Sequence, residues 1–437
     1  MKRKPIAILG FGREGQSLLK FLRKDAKYRS SEIWLLDKNP EVRKKLPKVK
    51  WQVGKGYLDN LDRFGTIFRS PGIPYAYRKV QEAIKNGVEM TSATRLFFER
   101  IGKKPLIIGV TGTKGKGTTA TLIYEILKHA GKRAVLAGNM GAPMLETLAQ
   151  ARQSQYVVLE LSSFQLQDLV QSPNIAVVVD MFPDHLDAHQ SLKEYYDAKA
   201  AIGAFQKPDD HIFYFSTNFL STETATRSKG VRHPITPASD TPEKNKEMAR
   251  AVANFLGVPS ETIDAAIANF KGLPYRLALT RVITKPPPKH SYILQNVRVT
   301  FYNDSAGTNP VAAAAAVRSF KEPFIVITGG RDASFDYGPL AQAIARSLYV
   351  RDVILIGENK PKVEQSLAEH GVRVPVSSAA TLQGAVRTAW QQANRLIGGG
   401  VPAVSILFAP AAKSFDMFKS YADRGEQFDR IVAAISK

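Results

Sequence analysis

Short apolar runs that end in glycine-rich turns and lead into helical stretches recur along this chain, the pattern of parallel strands joined through helices. Residues 5–10 form such a run, followed by the turn Gly10-Phe11-Gly12-Arg13-Glu14-Gly15 and an amphipathic stretch at 17–22. The run 32–36 ends in Asp37, and a third at 66–69 enters the rigid loop Ser70-Pro71-Gly72. The clearest unit spans 106–130: an apolar run at 106–110, a turn rich in glycine, and a helical pattern over 120–130. Further runs lie at 134–137, at 156–161 with Glu160 near its end, and at 175–179, which opens into the polar cluster 180–187. Runs at 293–301, 324–328, 353–356 and 404–408 alternate with helical stretches and predict another α/β unit. Between 216 and 243 Thr, Ser and Pro dominate, and the pattern predicts loop; residues 99–105, charged and closed by Pro105, read as a linker. The predicted fold class is α/β. A length of 437 residues exceeds one ordinary core, and the expected division is 1–99, 100–276 and 277–437.

Composition narrows the function classes. A hydrophobic fraction of 44% is ample for packed cores, and no run of about 18 uncharged apolar residues predicts a membrane span. The basic N-terminus passes at once into a strand-and-turn pattern instead of a signal peptide, so a cytoplasmic protein is expected. With no cysteine, disulfides, thiolate metal sites and cysteine nucleophiles are excluded. The formal net charge of +22 invites a nucleic-acid partner. The Lys and Arg residues are spread along the whole chain without a base-reading module, which fits a basic surface handling small polyanions, and no specific nucleic acid is expected.

The candidate chemistry begins at Gly112-Thr113-Lys114-Gly115-Lys116-Gly117-Thr118-Thr119. Strand, Gly-x-x-Gly-Lys and helix together make a phosphate cradle from backbone N–H groups and a helix N-terminus. Lys116 supplies a cation for the β- and γ-phosphates of a nucleoside triphosphate, and Thr118 or Thr119 a hydroxyl for Mg²⁺. Gly117 departs from the usual P-loop, which has Ser or Thr directly after its lysine. The turn Gly10 to Gly15 with Asp37 would by itself suggest a dinucleotide site or a packing device. Glu160, at a strand end near the P-loop, is placed to hold Mg²⁺ directly or through water. On spacing alone His185 reads as a hydrogen-bonded structural histidine rather than a ligand, and Lys199 by composition is a solvated helix lysine.

The ordered set Thr-Gly-Thr-Lys-Gly-Lys-Gly-Thr-Thr, Gly-Asn-Met-Gly, Glu-Leu-Ser-Ser-Phe-Gln-Leu, Asp-His-Leu-Asp and Tyr-Tyr-Asp-Ala-Lys resembles the central domain of the Mur ligases. Gly272-Leu-Pro-Tyr-Arg276, Asn303-Asp-Ser-Ala-Gly-Thr-Asn309 and Pro410-Ala-Ala-Lys-Ser-Phe-Asp-Met-Phe418 continue the resemblance over nearly the whole chain. It implies three domains: a Rossmann-like UDP-binding domain, a central P-loop ATPase-like domain, and a C-terminal Rossmann-like domain that closes over ATP and carries the incoming amino acid. It also implies substrate contacts at Gly12, Arg13, Glu14, Asp37, Ser70, Pro71, Gly72, Asn139, Ser162 and Gln165. ATP would lie on residues 112–119 with Asn245, Arg276 and Asp304, and Mg²⁺ on Thr118, Glu160 and His185. Lys199 matches the family position carbamylated by CO₂, a metal-binding carboxylate made from a cation; with Lys116 and His185 it forms the implied catalytic set.

Within the family, the Ser-Ser-Phe-Gln and Ser-Phe-Asp-x-Phe segments resemble the members that add D-glutamate to UDP-N-acetylmuramoyl-L-alanine through an acyl phosphate, in peptidoglycan precursor synthesis. Thr308, Ser414, Phe415 and Tyr421 match their amino-acid contacts. Ala306 and Ala333 stand where such members commonly have basic residues, so Arg331, with Lys413 second, is the candidate partner for an acidic side chain. A monomer is expected. The alternatives are a ligase of the same plan using L-glutamate or another amino acid, and a non-catalytic nucleotide-binding relative.

Overall fold

A computed structural model describes residues 4–46, 49–139, 142–183, 189–238, 243–287, 295–332 and 335–435. The chain forms two compact units, Met1–Phe270 and Lys271–Lys437.

The first unit contains two parallel sheets. Strands β1 (Ile6–Leu9), β2 (Ile33–Asp37), β3 (Lys50–Val53), β4 (Thr66–Arg69) and β5 (Glu89–Thr91) make one, in the order β3-β2-β1-β4-β5. The first helix, Arg13–Leu22, starts inside the glycine turn with Gly12 as its N-cap, four residues before the predicted start. Helix Ala93–Ile101 is capped by the Ser92 hydroxyl, which accepts from the Arg95 N–H. It takes in residues 99–101, so the predicted linker shrinks to four residues; Phe97, Phe98 and Ile101 are buried, and of the charges that suggested a linker Glu99 and Arg100 belong to the helix while Lys103 and Lys104 follow it.

The second sheet holds β6 (Leu106–Thr111), β7 (Ala134–Gly138), β8 (Tyr156–Glu160), β9 (Ile175–Val178), β10 (His211–Phe215) and β11 (Val231–Ile235), in the order β11-β10-β9-β6-β8-β7. Its central strands are covered on both faces, which is why they read as continuous apolar runs. The loop predicted for 216–243 is corrected here: the segment contains helix Phe219–Thr226 as well as β11. Three of its polar residues, Ser221, Thr224 and Ser228, are buried and satisfied by hydrogen bonds. Asn218 caps the helix by accepting from Ser221 N, and the buried Ser221 hydroxyl donates to Val179 O at 2.8 Å. Strand β11 is a largely exposed sheet edge with no apolar alternation, where Pro234 is tolerated.

The second unit builds one sheet from β12 (Ala278–Lys285), β13 (Val297–Asn303), β14 (Phe324–Gly329), β15 (Val350–Ile356), β16 (Val376–Ser378) and β17 (Ala403–Phe408), in the order β12-β13-β17-β14-β15-β16. All pairs are parallel except β12 with β13. The strand expected at 293–301 begins at Val297 and runs to Asn303. In each sheet the predicted ligand loops leave the carboxyl ends of neighbouring strands, where crossovers part in opposite directions and open a crevice.

Candidate active site

Strand β6 lies between β8 and β9, and its turn meets the helix Lys116–His129 at that parting. Gly112 has φ +145°, and a Cβ there would collide with the Val179 side chain. Gly115, the helix N-cap at φ +93°, is pressed against the Asn245 carboxamide, leaving no room for a side chain. Both glycines are therefore structural requirements of the cradle. The Thr113 N–H is committed to Asp180 O at 2.6 Å, and the helix that opens at Lys116 brings its positive N-terminal end to this turn, an arrangement suited to an anion. Lys116 Nζ rests on Thr113 O at 3.0 Å. Thr119 is fully buried, its hydroxyl donating to Asn245 Oδ1 at 3.3 Å, whereas Thr118 is partly exposed on the same turn. Asn245 thus stands against the phosphate turn, and its neighbour Lys244 pairs with Asp180 at 2.7 Å. Lys114, also in the predicted cradle, is half-exposed.

Glu160 is opposite Val110 in the register of β8 and β6 and is 2% exposed. One carboxylate oxygen is 3.4 Å from Asn139 Nδ2; the other, Oε2, is buried without a hydrogen-bond partner. Lys199 is on the buried face of helix Leu192–Ala204 with Tyr195 and Ile202, 2% exposed, so the composition-based reading of a solvated lysine is wrong. The i, i+4, i+7 spacing of those three residues carries the signal. Its Nζ donates to Gly112 O at 2.6 Å, bringing it to the phosphate turn, and Tyr195 OH meets Thr113 Oγ1 at 2.8 Å. His185, and with it the expected histidine ligand, lies outside the described residues. His189 was not singled out by sequence. It is 4% exposed, stacks on Phe164 at 4.9 Å and hydrogen-bonds Ser163 at 3.0 Å.

At the first sheet, Gly10 has φ +90°, and its carbonyl accepts from the Ser70 hydroxyl at 2.6 Å, so the β1 turn and the β4 loop close on each other. Asp37 accepts from Phe11 N at 2.6 Å and Asn39 N at 2.8 Å, bracing this turn. Gly12 and Arg13 are exposed at the helix start, Gly72 is exposed, and Pro71 is partly so. Glu14 is hydrogen-bonded to Gln165, and burial pushes its carboxyl up to about 7 against the opposing pull of that bond and of Arg69. Ser162 and Gln165 form a capping box at the short helix Ser163–Leu166, each side chain satisfying the other's backbone N–H.

In the second unit, Asp304 and Thr308 follow β13, Arg331 follows β14, and Ser414 and Phe415 follow β17, all at carboxyl ends of neighbouring strands. Asp304 Oδ1 accepts from Leu277 N at 2.9 Å, and Arg276 is exposed. Arg331 N donates to Lys413 O at 2.9 Å, an isolated antiparallel bridge that sets the two candidate cations side by side. Ser414 is buried; Phe415 and Tyr421 are 59% and 44% exposed. Arg424 was not among the predicted contacts. It is fully buried, donates to Ser305 Oγ, Ser305 O and Ala412 O, and so ties the β13 loop to the β17 loop. Burial lowers its guanidinium to about 10, opposed by Asp416 and Asp304.

Residues 110–261 match the model of the Mur ligase middle domain, and residues 4–92 that of the Mur ligase MurD-like N-terminal domain. A UDP-N-acetylmuramoylalanine–D-glutamate ligase of Acetivibrio thermocellus is 33% identical, covering 100% of this chain and 97% of its own. The chain belongs to the Mur ligase family. A relative of the same name from Symbiobacterium thermophilum is 31% identical over 98% of both chains. Among solved structures, UDP-N-acetylmuramate–alanine ligase from Thermotoga maritima superposes with TM-score 0.54 at 15% identity, covering 99% of this chain and 100% of that one. Folylpolyglutamate synthase from Mycobacterium tuberculosis, complexed with ADP and AMPPCP, gives 0.58 at 13% identity over 79% and 94%. At such identities these two bear on the fold alone.

As a Mur ligase the chain is an ATP-dependent enzyme, and ATP chemistry implies Mg²⁺. The residues present fit that ion: a buried carboxylate oxygen with no donor is costly unless a cation or water meets it, and Glu160 Oε2 is such an atom. Among the described residues no three His, Asp or Glu side chains converge. Mg²⁺ takes one or two carboxylates and completes its shell with phosphate oxygens and water.

Proposed function

We propose that this Mur ligase joins D-glutamate to UDP-N-acetylmuramoyl-L-alanine, as a monomer in the cytoplasm, with residues 1–99 holding the UDP moiety, 100–276 ATP, and 277–437 the amino acid. Full-length similarity to ligases of that name carries the reading, and the side-by-side Arg331 and Lys413 support an acidic amino acid. Among the described residues no helix is long and apolar enough to cross a membrane.

The L-alanine carboxylate attacks the γ-phosphorus of ATP, ADP leaves, and an acyl phosphate forms. The glutamate amine, having lost its proton, adds to the acyl carbon; the tetrahedral intermediate collapses to the amide and releases phosphate. The protein contributes no nucleophile; its task is positioning and neutralising charge. Lys116 exchanges the Thr113 carbonyl for a phosphate oxygen, and the N–H groups of the helix's first turn hold the phosphates at its positive end. Mg²⁺ would neutralise the phosphate oxygens, held by Thr118, Glu160 and His185. On Lys199, addition of CO₂ to nitrogen with loss of two protons from the ammonium leaves one N–H to keep the bond to Gly112 O while reversing the side chain's charge, so that its carboxylate would join the metal site.

Isotope transfer tests the route. With ¹⁸O in the L-alanine carboxylate, one labelled oxygen should pass into the released phosphate; unlabelled phosphate alongside amide formation would refute the acyl phosphate.

A further inference from the structure

Arg69 closes β4 and immediately precedes the Ser70-Pro71-Gly72 loop, yet it is 1% exposed. One guanidinium nitrogen donates to Ile73 O at 2.7 Å, at the far end of that loop. The other reaches Phe164 O at 2.8 Å, in the segment that follows Glu160. The Asp168 carboxylate is 3.8 Å away and accepts from the Ser92 hydroxyl, while Arg69 Nε and Asp168 Oδ2 are buried without hydrogen-bond partners. As a stabilising device this is poor. A buried ion pair that leaves two polar atoms unsatisfied is matched or bettered by apolar side chains of similar volume.

What the arginine does supply is a two-pronged planar link between two backbone carbonyls 91 residues apart in sequence. Beyond Phe164 the contacts continue. Phe164 stacks on His189, His189 lies edge-on to Tyr195 at 5.2 Å, and Tyr195 OH meets the P-loop residue Thr113. Lys199 is one helical turn further on.

We propose that Arg69 is a positioning residue: it registers the 70–73 loop against the 160–167 segment, so that a UDP-linked substrate held by the loop presents its carboxylate at the phosphate turn. The assignment rests on the substrate reading given above. It predicts that loss of the link weakens productive binding of the UDP-linked substrate while ATP binding is kept.

Two variants test it. Arg69→Lys keeps the charge but cannot span both carbonyls with a planar fork. The double variant Arg69→Met with Asp168→Leu removes both buried charges and avoids stranding one of them. Each is assayed for thermal midpoint, for KM of UDP-N-acetylmuramoyl-L-alanine and of ATP, and for amide hydrogen exchange across 70–77. The expected result in the folded variants is a KM for the UDP-linked substrate raised at least about tenfold, an ATP KM within about twofold, and faster exchange at 70–77. Both KM values within twofold of wild type, or both raised alike, would overturn the role. Should the double variant fail to fold, Arg69→Lys alone decides by the same criteria. If wild-type protein does not turn over the UDP-linked substrate, the substrate reading fails by itself; unchanged exchange at 70–77 in a folded variant would then overturn the link.

Discussion

Glu14→Gln isolates a charge that the fold holds in an unfavourable place. Burial raises the Glu14 carboxyl from 4.5 to about 7, and the neighbouring Asp168 adds to the rise, while the Gln165 hydrogen bond and Arg69 only partly offset it. Between those two values the unfolded chain has released the proton and the folded chain retains it, so the unfolded state binds fewer protons and stability falls as pH rises. The advantage is intact below about 4.5 and lost by the time pH passes 7. At about 1.4 kcal/mol per pK unit the full loss is at most on the order of 3 kcal/mol. Glutamine keeps the shape and the hydrogen bond to Gln165 but cannot ionise. For the 270 residues of the first unit, about 2 °C per kcal/mol turns the part developed between pH 5 and pH 8 into a relative gain of about 5 °C for the variant. Thermal melts of both proteins at pH 5, 6, 7 and 8 read this directly. A difference between them that does not change with pH, or that shrinks as pH rises, would refute the buried-carboxyl account.

At the phosphate turn, Lys116→Ala should reduce turnover by about 10²-fold or more with the melting profile kept, and near-normal turnover would remove Lys116 from the reaction. Thr118→Val should raise the Mg²⁺ concentration needed for half-maximal rate more than Thr119→Val does, because the Thr119 hydroxyl is engaged with Asn245; equal small effects would mean the metal hydroxyl is elsewhere. Lys199→Ala should be almost inactive and partly recovered by acetate, the carboxylate that the carbamate would supply, whereas recovery by an amine would mark the lysine as a cation. Arg331→Ala should raise the KM for glutamate at least about tenfold, on the order of 1.4 kcal/mol, with little change for ATP; normal glutamate use would move the carboxylate partner to another residue.

The parallel sheets were legible because strands buried on both faces advertise themselves as apolar runs, and the P-loop because glycine, lysine and helix must occur together there. The segment 216–243 was not, since Ser221 and Thr224 are buried by donating inward, a satisfaction that no hydropathy pattern displays. Strand β12 escaped for a related reason: only Ile283 on it is buried, so the edge strand carries no alternation. Lys199 shows a different limit. Its helical spacing from Tyr195 and Ile202 marks a buried face, but a lysine on such a face runs against the composition rule, and contacts distant in sequence, such as its bond to Gly112 O, hold it there. Arg69 and Arg424 were hidden because each reaches a backbone carbonyl distant in sequence, Phe164 O and Ser305 O respectively.

The central claim is most directly tested by phosphate release from ATP with UDP-N-acetylmuramoyl-L-alanine and, in turn, D-glutamate, L-glutamate, D-aspartate and a neutral amino acid, with the amide product identified by mass. Release that depends on both the UDP-linked acceptor and D-glutamate, with one amide formed per phosphate, is the predicted result. Release driven best by a neutral amino acid, or by none of them, would contradict it.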